Sequence, residues 1–113
     1  NAKQPYYIRF KDQRPFCFAG LWEYWENGTD EPLETCAMLT IGPNAVMEPI
    51  HHRMPVILQT QHFQAWLDSS IQDPQLLSSF LQPYPPEEME AFPVSVMVNN
   101  PKNDSESCIR ALN

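Results

Sequence analysis

The chain has little glycine, little cysteine and little positive charge. Glycine occurs three times and proline twelve times in 113 residues, a ratio that favours extended segments and rigid connections. The cysteines are Cys17, Cys36 and Cys108. An odd number without metal-like spacing argues against a disulfide framework or a zinc site. Cys17 and Cys36 lie inside apolar runs and read as small core residues, as expected of a reducing, cytoplasmic compartment. No apolar run approaches the roughly 18 residues that cross a bilayer, so no membrane partner is expected. No charged-then-apolar leader opens the chain, so no secretion signal is expected from these residues. Lys and Arg total 7 against 14 Asp and Glu, giving a formal net charge of −7. That excludes tight non-specific nucleic-acid binding by these residues alone, because such binding depends on cations that neutralise phosphates.

What is present is a globular composition, 42% hydrophobic and 12% aromatic, of a length that suits one small core. "PYYIRF" (5–10) reads as a strand and "KDQRP" (11–15) as a polar turn. "FCFAGLWEYW" (16–25) reads as one long strand, apolar on both faces and therefore buried on both. The Asn27-Gly28 pair signals a hairpin turn, with "LETCAMLTI" (33–41) as the returning strand. Residues 42–50 form a loop or one helical turn, and "MPVILQ" (54–59) another strand. Helices are expected over 60–70 and 73–82, the second opened by an Asp73 cap and Pro74. One turn over 85–91, a strand over 93–98 and a loop over 99–107 complete an α+β domain with an antiparallel or mixed sheet.

Three residues stand out chemically. Glu23 shares its predicted strand face with Cys17, Ala19, Leu21 and Trp25. A carboxyl desolvated there acquires the raised pKa that suits acid-base work; at the strand's end it is an ordinary solvated acid. His51 and His52 are adjacent, so on an extended segment one faces inward and the other outward. Imidazole suits proton transfer, but diverging rings do not chelate one metal. Arg53 shares the His51 face and presents a fork for phosphate or carboxylate, unless it pairs with an acid such as Glu48. His62, in the cap region of a helix for which Thr60 is the candidate cap, reads as an ordinary surface residue, and Trp66 and Phe80 read as core.

The stretches "KQPYYI", "FAGLWEYW", "TCAMLT", "IHHRMPVIL", "WLD" and "VNNPKND" resemble, in wording and order, the SOS-response-associated peptidase (SRAP) family, from about Lys3 to Asp104. The resemblance implies a β-rich α+β fold with a curved, barrel-like sheet and a positively charged groove. It implies a protein of the DNA-damage response that acts on abasic sites in single-stranded DNA. In that family the initiating methionine is removed, and an N-terminal cysteine attacks the open-chain aldehyde of the abasic sugar. The α-amine forms a Schiff base, and the sulfur then closes a thiazolidine ring that cross-links protein to DNA. An α-amine, with a pKa of about 7.7–8.0, is a better neutral-pH nucleophile than a lysine at about 10.4. By resemblance Glu23 handles the proton of sugar ring opening, His51 assists Schiff-base chemistry and cross-link reversal, and Arg53 holds a DNA phosphate. His52 falls at the variable position of the motif. No metal or cofactor is implied.

The chain departs from the family pattern at its start, which is Asn1 and not a processed Met-Cys. Cys17 cannot replace the nucleophile, because it has no free α-amine. The expectation is that residues 1–113 are the C-terminal half of one SRAP-like domain, with the N-terminal half as its partner and the source of the groove's cations. An autopeptidase, in which a thiol with Glu and His cleaves an amide, and a non-catalytic acidic interaction module are the competing readings.

Overall fold

The computed structural model describes residues 3–26, 28 and 30–112. Among these, seven short strands come first: β1 (Tyr6–Phe10), β2 (Cys17–Phe18), β3 (Gly20–Trp25), β4 (Leu33–Met38), β5 (Thr40–Ile41), β6 (Met54–Pro55) and β7 (Ile57–Leu58). Two helices, α1 (Phe63–Leu67) and α2 (Pro74–Ser79), precede β8 (Met89–Pro93), and short 3₁₀ turns fill several connections. The α+β class is as expected. The sheet differs from expectation: the strands pair as four two-stranded antiparallel ladders, β1–β8, β2–β7, β3–β4 and β5–β6. The described residues form neither a mixed sheet nor a closed barrel.

The reason is a junction at which three chain segments exchange partners. Each predicted long strand is interrupted by one residue: Ala19 between β2 and β3, Leu39 between β4 and β5, Val56 between β6 and β7. Ala19 N–H donates to the Val56 carbonyl (2.8 Å), Val56 N–H to the Leu39 carbonyl (3.0 Å) and Leu39 N–H to the Ala19 carbonyl (3.0 Å). The three bonds close a ring, so the backbone groups stay satisfied while the ladders diverge. Ala19 is 0% exposed, which leaves no room for a larger side chain where three backbones meet.

Two apolar clusters flank this junction. Phe10, Met47, Met54, Ile57, Tyr84 and Met89 form one. Ala19, Val56 and Leu58 form the other, covered by Phe63, Trp66, Phe80 and Leu81 from the helical region. Ile57 and its neighbours Val56 and Leu58 thus serve opposite faces, as alternation requires. Each large side chain so buried contributes about 1.5–3 kcal/mol. The ladder β1–β8 closes the first cluster, with Phe10 opposite Met89 and the Arg9–Glu90 pair bridged at 2.7 Å. The Asp73 cap is present, its carboxylate accepting from Gln75 N–H, with Pro74 in the first turn of α2.

Several local expectations fail. Both faces of β3 and β4 are exposed, so the strand over 16–25 is neither continuous nor buried, and Cys17 and Cys36 are exposed. Cys108 is the buried cysteine. The apolar residues of 16–25 and 33–38 make a ribbon that the rest of this chain does not cover. Gly28 in the connection has φ +81°, the left-handed geometry that glycine permits, while Asn27 lies outside the described residues. The predicted final strand over 93–98 is displaced: β8 ends at Pro93, and Val96–Asn99 is a 3₁₀ turn capped by Ser95. The helices are shorter than predicted, because the 60–62 segment is 3₁₀ and residues 68–70 form an Asp68-capped bend.

Candidate functional site

The loop between β5 and β6 carries His51, His52 and Arg53, and a buried asparagine shapes it. Asn44 Oδ1 accepts from the backbone N–H of Val46 (3.2 Å) and Met47 (3.1 Å), as a helix cap does. Its Nδ2 donates to the Tyr84 carbonyl (2.7 Å), which ties the loop to the first cluster. Turn bonds follow, Glu48 N–H to the Asn44 carbonyl (2.9 Å) and His51 N–H to the Met47 carbonyl (2.9 Å). These bonds deliver His51 to the surface from a fixed base. Met47 and Met54 are buried at either side of the turn.

At His51 the chain bends instead of running extended, and the expectation that the two histidines diverge is overturned. The rings of His51 and His52 stack, with centroids 4.5 Å apart and planes 19° from parallel. His51 Nδ1 lies 3.1 Å from the backbone nitrogen of Arg53 and 3.1 Å from its carbonyl oxygen. An unprotonated Nδ1 accepts from that N–H; a protonated Nδ1 donates to that carbonyl. Nδ1 therefore has a backbone partner whether or not it carries the proton. An open cleft of about 650 Å³ is lined by both imidazoles together with Lys3, Pro43, Glu48, Pro49 and Ile50.

Arg53 does not pair with Glu48. Its Nη2 donates to the carbonyl (2.9 Å) and hydroxyl (3.0 Å) oxygens of Thr40 at the start of β5. Two other arginines are paired with acids, Arg9 with Glu90, and Arg14 with Asp12 and Glu88. The Glu88 hydrogen bond, opposed by burial and assisted by the Asp12 charge, raises the already high pKa of Arg14. Among the described residues Arg53 has no carboxylate partner. Its charge is held in place by a neutral residue and remains available to an external anion.

Glu23 sits apart from this group. It is opposite Thr35 on the β3–β4 ribbon, with the whole strand exposed. The desolvation expected from its apolar neighbours in sequence is absent. Glu23 is four residues from Ala19, about 13 Å at the strand rise, and Arg53 is three residues from Val56, about 10 Å on another arm of the same junction. Among the described residues no hydrogen bond or ion pair joins Glu23 to His51 or Arg53. His51, His52 and Arg53 are brought together; Glu23 shares only their junction. His62 makes no side-chain cap hydrogen bond and stacks on Phe80 (4.1 Å, 14°), and Trp66 and Phe80 pack on the second cluster, as core residues would.

Sequence reasoning missed Asn44, Thr40 and the cleft position of Lys3. Asn44 alone left a signal, a cap-forming side chain at the head of a turn in "GPNAVMEPI". No group of His, Cys, Asp and Glu among the described residues is arranged to hold a metal ion. Among the described residues no helix is long and apolar enough to cross a membrane.

Residues 1–101 match the family model of the SOS response associated peptidase (SRAP), and the chain belongs to that family. It is 46% identical to the abasic site processing protein YoqW of Bacillus subtilis over 98% of its own length and 50% of YoqW. It is 32% identical to the abasic site processing protein HMCES of Xenopus tropicalis, over 99% of this chain and 38% of HMCES. A crystal structure of a Bacteroides thetaiotaomicron protein matches it with a TM-score of 0.83 at 27% identity, over 99% of this chain and 50% of that one. The chain spans about half the length, or less, of these curated relatives.

Proposed function

We infer that this chain is one half of an abasic-site processing domain that reacts covalently with single-stranded DNA. The likeness to proteins named for abasic-site processing supports the substrate. The observation that supports the site assignment is the turn before β6: a histidine whose Nδ1 has a backbone partner whether or not it carries the proton, two residues from an arginine that among the described residues has no carboxylate partner. Arg53 holds a phosphate next to the lesion. An N-terminal cysteine from the half of the domain outside this chain supplies the nucleophile. Its amine adds to the aldehyde carbon of the ring-opened sugar, and the carbonyl oxygen leaves as water. The thiol then adds across the C=N bond, sulfur to carbon and proton to nitrogen. His51 carries protons in these steps and Glu23 in ring opening. No metal or cofactor is required.

The same reading accounts for the ribbon. The radius of gyration is 17.5 Å, against about 13 Å for a compact domain of this length. Leu21, Trp22, Tyr24, Trp25, Leu33 and Met38 are large, apolar and exposed on β3 and β4. The absent half packs on this ribbon, completes the curved sheet and carries Glu23 into the cleft with its own cations. A cytoplasmic, nucleoid-associated location would suit this role.

The test is incubation of the full-length protein with an abasic oligonucleotide, followed by denaturing electrophoresis. A heat-stable shifted band is expected. His51→Ala and Glu23→Ala should slow its formation by about 10²-fold each, the scale of general acid-base assistance. Arg53→Ala should weaken binding and flatten its salt dependence. Wild-type band formation in both the His51 and Glu23 variants would remove the role assignments. Turnover of a peptide in trans would instead favour a peptidase.

A further inference from the structure

We propose that His52, at the variable position of the family motif, is a positioning residue for His51. This rests on the role assigned above to His51. The edge of the His51 ring is fixed at one point, Nδ1, which the Arg53 backbone holds at 3.1 Å. One in-plane contact leaves the ring free to tilt about it. The second constraint is the His52 ring, stacked at 4.5 Å and 19° over a face of His51. Edge and face together define the direction of Nε2, the nitrogen left for substrate. Both rings line the same cleft with Lys3 and Glu48, so His52 is placed to act at the site and not behind it. Both side chains are solvent-exposed, so core packing does not provide this constraint. A ring tilted away from the reacting atoms loses proton-transfer efficiency without losing its basicity, which makes orientation a separable property.

Stacking needs a flat ring and not an ionisable one, and that separates positioning from chemistry. In the full-length protein, His52→Ala should slow cross-link formation roughly three- to tenfold, the scale of one aromatic contact. His52→Phe should restore the rate to within about twofold, because it keeps the flat face. The double variant His51→Ala/His52→Ala should be no slower than His51→Ala alone, since a residue acting through His51 has nothing left to orient. Affinity for DNA carrying a non-reactive tetrahydrofuran abasic analogue should be the same in wild type, His52→Ala and His52→Phe. Wild-type rates in His52→Ala, beside a slow His51→Ala, would overturn this proposal alone. Wild-type rates in His51→Ala would overturn the assignment beneath it. Equal loss of affinity in His52→Ala and His52→Phe would make His52 a direct DNA contact and also overturn it.

Discussion

In the body of the fold Phe10, Met54 and Met89 are taken out of water by residues of the same chain, whereas on the β3–β4 ribbon Leu21, Trp22, Trp25 and Met38 meet solvent. The local sequences are equally apolar. The difference lies in what pairs and packs with each. β1 is closed by β8 from about eighty residues away in sequence, and the segment around Val56 is gripped by two ladders and the helical region. Among the described residues the ribbon pairs only within its own two strands and is touched at its base alone, where Trp66 Nε1 donates to the Gly20 carbonyl. A two-stranded hairpin left largely uncovered is marginal by itself, and an apolar patch of this kind marks a surface built for a partner. Glu23 lies on that ribbon and His51 on the body, so the candidate site is divided by the same boundary.

The largest expected effect breaks the comparison directly. Trp22 is 72% exposed in this chain. If the absent half covers the ribbon, Trp22→Ala should destabilise the full-length protein by about 3–5 kcal/mol, the cost of truncating a buried tryptophan. In residues 1–113 alone the same change should cost less than about 0.5 kcal/mol, as an exposed substitution does. Met54→Ala, in the body, should cost about 2–5 kcal/mol in both contexts. Denaturant midpoints measure all of these. A Trp22 variant equally harmless in both contexts would mean that the ribbon faces solvent in the whole protein.

The division also explains what could be read in the sequence. β1, the polar turn after it, and the cap and proline of α2 were legible, because local chemistry sets them. Arg53 and His51 stood out as candidates through the family motif, and their common placement follows from the turn that carries them. The exposure of Cys17, Cys36 and Glu23 was not legible. Alternation reports which residues are apolar, not whether the covering element belongs to the same chain. The breaks at Ala19, Leu39 and Val56 were also hidden. Each is an apolar residue inside an apolar run, and only the ring of three backbone bonds distinguishes it. The His51–His52 stack escaped because a two-residue period was applied to a bend.

A smaller effect sharpens the body side. Asn44 is buried, caps the turn beneath His51 and binds the Tyr84 carbonyl. Asn44→Ala leaves the Val46 N–H and the Tyr84 carbonyl short of a partner, while the Met47 N–H keeps the Asn44 carbonyl. A loss of about 1–3 kcal/mol is expected, read from denaturant midpoints. Asn44→Asp keeps an acceptor for the turn but sets a carboxylate against the Tyr84 carbonyl, and should not restore stability. Full stability in Asn44→Asp would show that the tie to Tyr84 contributes nothing.

The smallest effect lies on the boundary itself, at Asp68, which lines a groove of about 450 Å³ with Trp22 and Trp66. Its Oδ1 accepts from the Ser70 hydroxyl (2.7 Å) and the Ser70 backbone N–H (2.9 Å). These two bonds, the hydroxyl first, hold the Asp68 carboxyl below its ordinary value. A depressed folded pKa contributes stability above the unfolded value, near 4, and that contribution is lost as pH falls through the folded value. In residues 1–113, Asp68→Asn should therefore be slightly less stable than wild type at neutral pH, and urea midpoints should converge as pH falls below about 4. A gap that widened on acidification would contradict the sign. In the full-length protein a covered ribbon would exclude water from this groove, and desolvation raises a carboxyl's pKa. The pH at which the gap closes should then move upward relative to the chain alone. Identical profiles in the two contexts would mean that nothing closes over the ribbon beside α1, even if its far end is covered.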